Sequence, residues 1–446
     1  MTRFTIRTLS TLISMRVLLA PDVVFAQTTA QFPMQFDFLT PGARSLALGS
    51  AFIGLADDAT AAVTNPAGLL TLSRPEVSFE GRYRRFDSPF LSAGRLSGTV
   101  TNNGEDTISG PLYSADRDTS LGPAFMSFVY PTLRWAVAFF THQPTTTKNE
   151  FLYRGAFQSF VSGGQTTNDL RDIPLSGTRE IAIRQYGGTF AFRASPAITA
   201  GVGVSLYTLD LSASFARLGI TSIPFGAPLA TQVSATAVQV GEDTAIGMNA
   251  GVQIQVTSKA KVGAVFRLSP SFDYSQTDTA LFLPTIVREG SFNVPDAFGL
   301  GLAWRPTDAT LLSVDYVFTR HSQIKADFVN FQAISTGTED QLVVDDSNEF
   351  HTGFEYVLTR VPRTPALRAG LWWDPDHSVR YESVGANSKI DPATDLRLQT
   401  LLPRGEDMWH YTAGIGLPLS RFFELSGAVD YSRRATLASV STIFRF

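Results

Sequence analysis

Residues Ile246-Gly247-Met248-Asn249-Ala250-Gly251-Val252-Gln253-Ile254-Gln255-Val256-Thr257 alternate without a break. Ile246, Met248, Ala250, Val252, Ile254 and Val256 fall on one side, and Gly247, Asn249, Gly251, Gln253, Gln255 and Thr257 on the other. Successive side chains of a strand point to opposite faces, so this is a β-strand with one apolar face and one polar or small face. Two further stretches repeat the pattern. Ile198, Ala200, Val202, Val204 and Leu206 are set against Thr199, Gly201, Gly203 and Ser205, and Trp409, Tyr411, Ala413, Ile415 and Leu417 against His410, Thr412, Gly414 and Gly416. Each is about the length that crosses a bilayer on a tilt, roughly 9–11 residues.

Such an apolar face meets either a protein core or lipid, and three features favour lipid. The connections alternate short and long. Short turns lie near Tyr130-Pro131, Ser195-Pro196, Thr257-Ser258-Lys259, Arg305 to Asp308, Arg360 to Thr364 and Pro418 to Arg421, and long connections near 91–118, 143–178, 217–235, 277–290, 322–345 and 376–405. Outer-membrane barrels pair short periplasmic turns with long external loops in this way. Aromatic residues sit near strand ends (Trp135, Trp304, Trp373, Trp409, Phe423), as interfacial girdles require. The chain finishes on Val440, Thr442, Phe444 and Phe446 along one face, a pattern similar to the assembly signal of outer-membrane barrels.

Fourteen such strands can be counted, near 75–88, 119–130, 132–145, 179–194, 196–216, 236–257, 259–276 and 290–305, with six more ending at 436–446. An even number closes a barrel with both termini on the periplasmic side. The expected fold is all-β, a fourteen-stranded antiparallel transmembrane β-barrel over 75–446 in the bacterial outer membrane, surrounded by lipid and lipopolysaccharide and inserted by the barrel-assembly machinery. Export is expected from residues 1–26: Arg3 and Arg7 precede a mostly apolar stretch from Leu9 to Phe25, interrupted by Arg16 and Asp22, and Val24-Phe25-Ala26 places the cleavage after Ala26.

Composition excludes several alternatives. The 446 residues include no cysteine, which removes disulfides, thiolate metal sites, cysteine nucleophiles and a lipoprotein anchor. A net charge of −4 without a basic run makes no case for nucleic acid. No uninterrupted apolar run is long enough for a transmembrane helix.

Residues 27–74 lack strand alternation. Ser45 to Phe52 and Ala56 to Val63 are small-residue, helix-tolerant runs broken by glycine and proline. A barrel of this size encloses a lumen, and a segment of this length before the first strand can fold inward as a plug. Gly42-Ala43-Arg44, Ala56-Asp57-Asp58-Ala59, Asn65-Pro66-Ala67 and Arg74-Pro75 resemble, in order and spacing, the N-terminal hatch of the long-chain fatty acid transporter family, the FadL and toluene-transport type. Gly241-Glu242-Asp243, Phe292 to Asp296 and Pro403 to Trp409 are similar to the family as well. The resemblance implies a barrel with a hatch, capture of a hydrophobic compound at an external groove, an internal pocket, and sideways release at a kinked third strand, with no cofactor. The kink would fall within Thr141 to Thr145. Pro144 either causes it, since proline lacks a ladder donor, or ends the strand where the external loop begins.

Candidate chemistry is sparse. His142, His321, His351, His377 and His410 have no metal-ligand spacing, and no nucleophile-elbow or zinc-protease motif occurs. No catalytic or metal residue is assigned. Asp57 and Asp58 are read as capping a hatch turn or pairing with an arginine of the wall rather than binding a cation. Asn65, Pro66 and Ala67 are expected to form a tight hatch turn. Asp374, Asp376 and Ser378 have oxygen-ligand spacing without the rest of a calcium loop. The loops offer more. Ile223 to Leu229 and Ala280 to Val287 are apolar runs in neighbouring external connections, and Phe225, Leu229, Leu281, Phe282 and Leu283 are expected to line a cleft for a hydrophobic small molecule. The function expected is a passive outer-membrane channel for such molecules. The alternatives are a secretion-system shuttle or scaffold that binds a partner protein, and a membrane-embedded enzyme.

Overall fold

The computed structural model describes residues 40–162, 165–219, 233–325, 341–383 and 392–446. The expected signal peptide and the residues Phe225 and Leu229 lie outside the described residues. Fourteen antiparallel strands close into a ring. They are β1 (Glu76–Gly94), β2 (Pro111–Pro131), β3 (Trp135–Tyr153), β4 (Leu175–Arg193), β5 (Ile198–Leu218), β6 (Val233–Thr257), β7 (Ala260–Leu268 continued by Ser271–Ala280), β8 (Ile286–Asn293 continued by Ala297–Thr307), β9 (Thr310–Thr319), β10 (Ser347–Val357), β11 (Ala366–Asp374), β12 (Met408–Pro418), β13 (Phe423–Tyr431) and β14 (Ala435–Arg445). Closure is made by β14 on β1, from Glu76 opposite Arg445 to Phe86 opposite Ala435. Closure leaves no edge in lipid, where an unpaired backbone group has no water to bond.

Strands β1 to β8 run further than the alternation of the sequence suggested. The expected loops 91–118, 143–178 and 277–290 shrink to residues 95–110, 154–174 and 281–285. The cause is seen in β5, where polarity inverts along the strand. In β5, Val202, Val204 and Leu206 face outward and are exposed, while Gly203 and Ser205 face inward. One turn of the pleat higher, Asp210, Ser212 and Ser214 face outward and Leu209, Leu211, Ala213 and Phe215 are buried inside. The alternation continues, but its phase reverses where lipid gives way to water. A reading keyed to apolar residues on the lipid side stops at that point.

Residues 40–74 lie against the inward-facing side chains. They form α1 (Ala43–Ala47), α2 (Ala61–Thr64) and a 3-10 turn over Pro66–Thr71. Elements this short leave many peptide groups without internal partners, and the wall supplies them. Gln253 Nε2 donates to the carbonyls of Gly54 (2.8 Å) and Leu55 (3.1 Å). Asn249 Nδ2 donates to Val63 O at 3.2 Å, Thr412 Oγ1 to Ala47 O at 2.9 Å, and Ile53 N–H to Asp315 at 2.6 Å. Wall glycines let the backbones touch: a Cβ on Gly301 would stand 2.4 Å from Gly54 N, and one on Gly370 2.2 Å from Gly49 N. The polar-and-small inward face first read in 246–257 is therefore a seat for this inner segment.

Candidate functional site

Three features of the lumen stand out: the anchoring of the inner segment, the apolar cluster above it, and a slot in the wall.

The inner segment is anchored by ions as well as by hydrogen bonds. Arg44 pairs with Asp57 at 2.5 Å and with Glu355 of β10 at 3.0 Å; Asp57 also pairs with Arg305 of β8 at 3.0 Å, and Glu355 with Arg368 of β11 at 2.7 Å. Asp58 accepts from Thr60 N–H at 2.9 Å and from its hydroxyl at 2.5 Å, as a turn cap. Asn65 is fully buried, donates to Ile53 O at 2.9 Å and accepts from Ala67 N–H at 3.2 Å, with Pro66 opening the turn. Removing one member of a buried ion pair typically costs about 3–5 kcal/mol, so this network holds residues 42–72 to the wall.

Above the seat, the upper strands surround a packed apolar cluster, completed by Ile324, Leu342, Tyr381, Leu398, Leu401 and Leu402 from the connecting segments. Phe151, Ile181, Leu209, Leu211, Phe215 and Phe272 are buried in one cluster there. Asp172, whose carboxyl burial pushes above the usual range, accepts from the Tyr153 hydroxyl at 2.8 Å and from Gln158 at 2.8 Å. Beside the inner segment lies a cavity of about 90 Å³ lined by Ile53, Val265, Phe298, His321, His351 and Trp372, among others.

Four of the five histidines gather on this side. His321 stacks on His377 at 4.0 Å between ring centroids, and Trp372 stacks on His351 at 5.2 Å and on His410 at 3.8 Å. His351 hydrogen-bonds the carbonyl of Gly49 at 2.8 Å, and His410 bonds Asp430 at 2.9 Å. Sequence spacing gave no hint of this cluster, because its members come from separate strands and loops. No three metal-ligating groups converge among the described residues. Asp376 caps its own loop, accepting from Ser378 N–H at 3.0 Å and Gly405 N–H at 2.8 Å.

The slot lies between β2 and β3. Their ladder runs from Pro131 opposite Ala136 to Phe125 opposite His142 and stops. Meanwhile β2 stays paired to β1 as far as Pro111, and β3 to β4 as far as Tyr153, with a bulge between His142 and Thr145. Pro144 sits in that bulge; the strand continues past it. Above the bulge, side chains bridge the gap where a ladder would be: Lys148 N–H donates to Asp118 at 3.1 Å, Glu150 N–H to Asp116 at 3.0 Å, and Arg84 to Thr146 O at 2.8 Å. The cleft there measures about 180 Å³.

The expected capture residues are placed only in part. Leu281 and Phe282 form the exposed tip of the β7–β8 hairpin, with Phe282 91% exposed, and Leu283 is half-buried. The upper apolar cluster, the histidine cluster and the two arginines that line the slot, Arg82 and Arg84, were not anticipated; of these only the apolar cluster had a sequence signal, the phase reversal between Leu206 and Leu209.

No protein-family model matches the sequence, and no curated protein matches it. The fold has close counterparts among solved structures. A Pseudomonas aeruginosa FadL homologue superposes with a TM-score of 0.60 at 12% identity, over 92% of this chain and 100% of that one. The P. putida toluene transporter TodX gives 0.56 at 13% identity, over 92% and 99%. The Ralstonia pickettii toluene transporter TbuX gives 0.54 at 16% identity, over 92% and 100%.

Proposed function

We propose that this chain, a barrel with the FadL-type fold, is a passive outer-membrane channel for hydrophobic small molecules such as long-chain fatty acids or hydrocarbons. The observation that carries this reading is the inverted crown. Apolar side chains that a barrel strand turns toward lipid are turned inward above the membrane, as Leu209, Leu211 and Phe215 are, and an apolar interior suits a solute that water rejects. Capture begins at the external hairpins, on Phe225, Leu229, Leu281, Phe282 and Leu283. The inner segment acts as a fixed hatch, so the ligand turns aside through the slot at Pro144 and enters the membrane. The solved structures of similar fold, described as a FadL homologue and as toluene transporters, support the reading.

The test is lateral occlusion. Gly122 lies on the inward side of β2 opposite Arg82, lines the slot, and a Cβ added there meets nothing within 4 Å. Gly122→Trp should fold and fill the slot. Flux of a labelled hydrocarbon into liposomes should then fall to that of protein-free vesicles. Unchanged flux through a folded variant would remove the lateral route.

A further inference from the structure

We propose that the slot between β2 and β3 is a binding site for the acidic headgroup of an amphiphile, a carboxylate or phosphate carried on an acyl chain. Two guanidinium groups stand at the slot, those of Arg82 and Arg84, with 7% and 6% of their surfaces exposed. Arg82 is held from one side. Its Nε and Nη2 donate to Glu80 Oε1 at 3.0 and 2.7 Å, and Nη2 also to Thr40 O at 3.0 Å. Its Nη1 is buried and has no hydrogen-bond partner among the described residues. A buried charged donor left without an acceptor carries a desolvation cost that a ligand oxygen would relieve.

The surroundings fit an anion with an apolar tail. Glu80 is already occupied, accepting from Arg82, Gly42 N–H at 2.7 Å and the Ser439 hydroxyl at 2.7 Å, so it does not compete for Arg82 Nη1. Arg84 spans the gap to Thr146 and lies 5.4 Å over the Phe86 ring. Ser120, Thr145 and Gln143 add neutral donors around the cleft. On the outer side, Leu121 and Phe139 are exposed at 81% and 63%, an apolar lip for an acyl chain. A guanidinium offers paired N–H donors matched to a carboxylate or phosphate, whereas a neutral hydrocarbon makes no use of it. The inference rests on the channel reading for how the ligand arrives, not for what the site binds.

The experiment titrates folded parent protein in neutral-detergent micelles with hexadecanoate and with hexadecanol, which differ in charge and little in tail. Two variants guard against misfolding. Arg84→Gln leaves the Arg82–Glu80 pair intact, and Arg82→Lys keeps a cation beside Glu80 while removing the unpartnered Nη1. Each should weaken hexadecanoate about ten- to a hundredfold and leave hexadecanol unchanged. Equal loss for both probes, or loss for neither, overturns the site. A competing arm with phosphatidic acid in the micelle identifies the source: displacement of hexadecanoate assigns the site to membrane phosphate, and failure to displace assigns it to free carboxylate, both with the same headgroup chemistry. Hydrocarbon flux through the parent in liposomes reads the channel separately. Flux without charge preference removes this site and leaves the channel; charge preference without flux does the reverse.

Discussion

Asn65 shows how a single polar residue joins the inner segment to itself and to the wall. Its amide bonds Ile53, Ala67 and, at 3.4 Å, the carbonyl of Val252 in β6. Asn65→Leu leaves buried donors and acceptors unpaired, each worth about 1–3 kcal/mol. The barrel should still insert, seen as heat-modifiable migration on a gel, while small polar solutes leak faster into liposomes. A variant as tight as the parent would show that the hatch does not depend on this turn. The residue types here were legible from sequence, since Asn-Pro announces a turn. The partners were not: Ile53 and Val252 are 12 and 187 positions away.

Among the elements, β14 has the clearest sequence signal and the plainest consequence. Val440 to Phe444 pair with Phe423 to Gly427 of β13 and with Val77 to Gly81 of β1. Deleting Val440 to Phe446 strips β1 and β13 of partners at membrane depth, and each orphaned backbone group costs several kcal/mol in hydrocarbon. No heat-modifiable species should form; one that survives the deletion would mean another strand closes the ring. The β2–β3 pair is the opposite case. Its lower half has an ordinary alternating pattern, but only the bulge at Pro144 and the register against β4 decide that the ladder stops at His142. Proline marked a disturbance without saying whether the strand ended or bent, because the answer lies in the neighbouring strand.

At the scale of the whole molecule, the phase reversal of β5 marks where a lipid-facing belt gives way to the upper barrel. Its position can be tested on one face of one strand. Val202 and Ser212 both point outward from β5, at 54% exposure for Val202 and with Ser212 exposed. Val202→Arg should cost about 2–4 kcal/mol and Ser212→Arg about 0–1 kcal/mol, the difference between midplane and interface or beyond. Denaturant unfolding from lipid vesicles measures both. Equal costs would place the boundary elsewhere and with it the apolar cluster. The same division explains why the expected loops were too long: Leu209, Leu211 and Phe215 keep strand periodicity, but on the side a lipid-facing reading discounts.

The sequence by itself determined that the chain alternates apolar and polar through fourteen crossings and closes on an aromatic-ended strand, because lipid imposes that pattern residue by residue and no distant contact is needed to see it. It also carried the inner segment's motifs in order. Only the tertiary structure decided that four histidines gather, that wall glycines seat the backbone of residues 47–54, and that Arg82 and Arg84 line one slot. Those outcomes depend on which strands are neighbours and on their register, a stagger fixed by closure of the whole ring rather than by any local stretch.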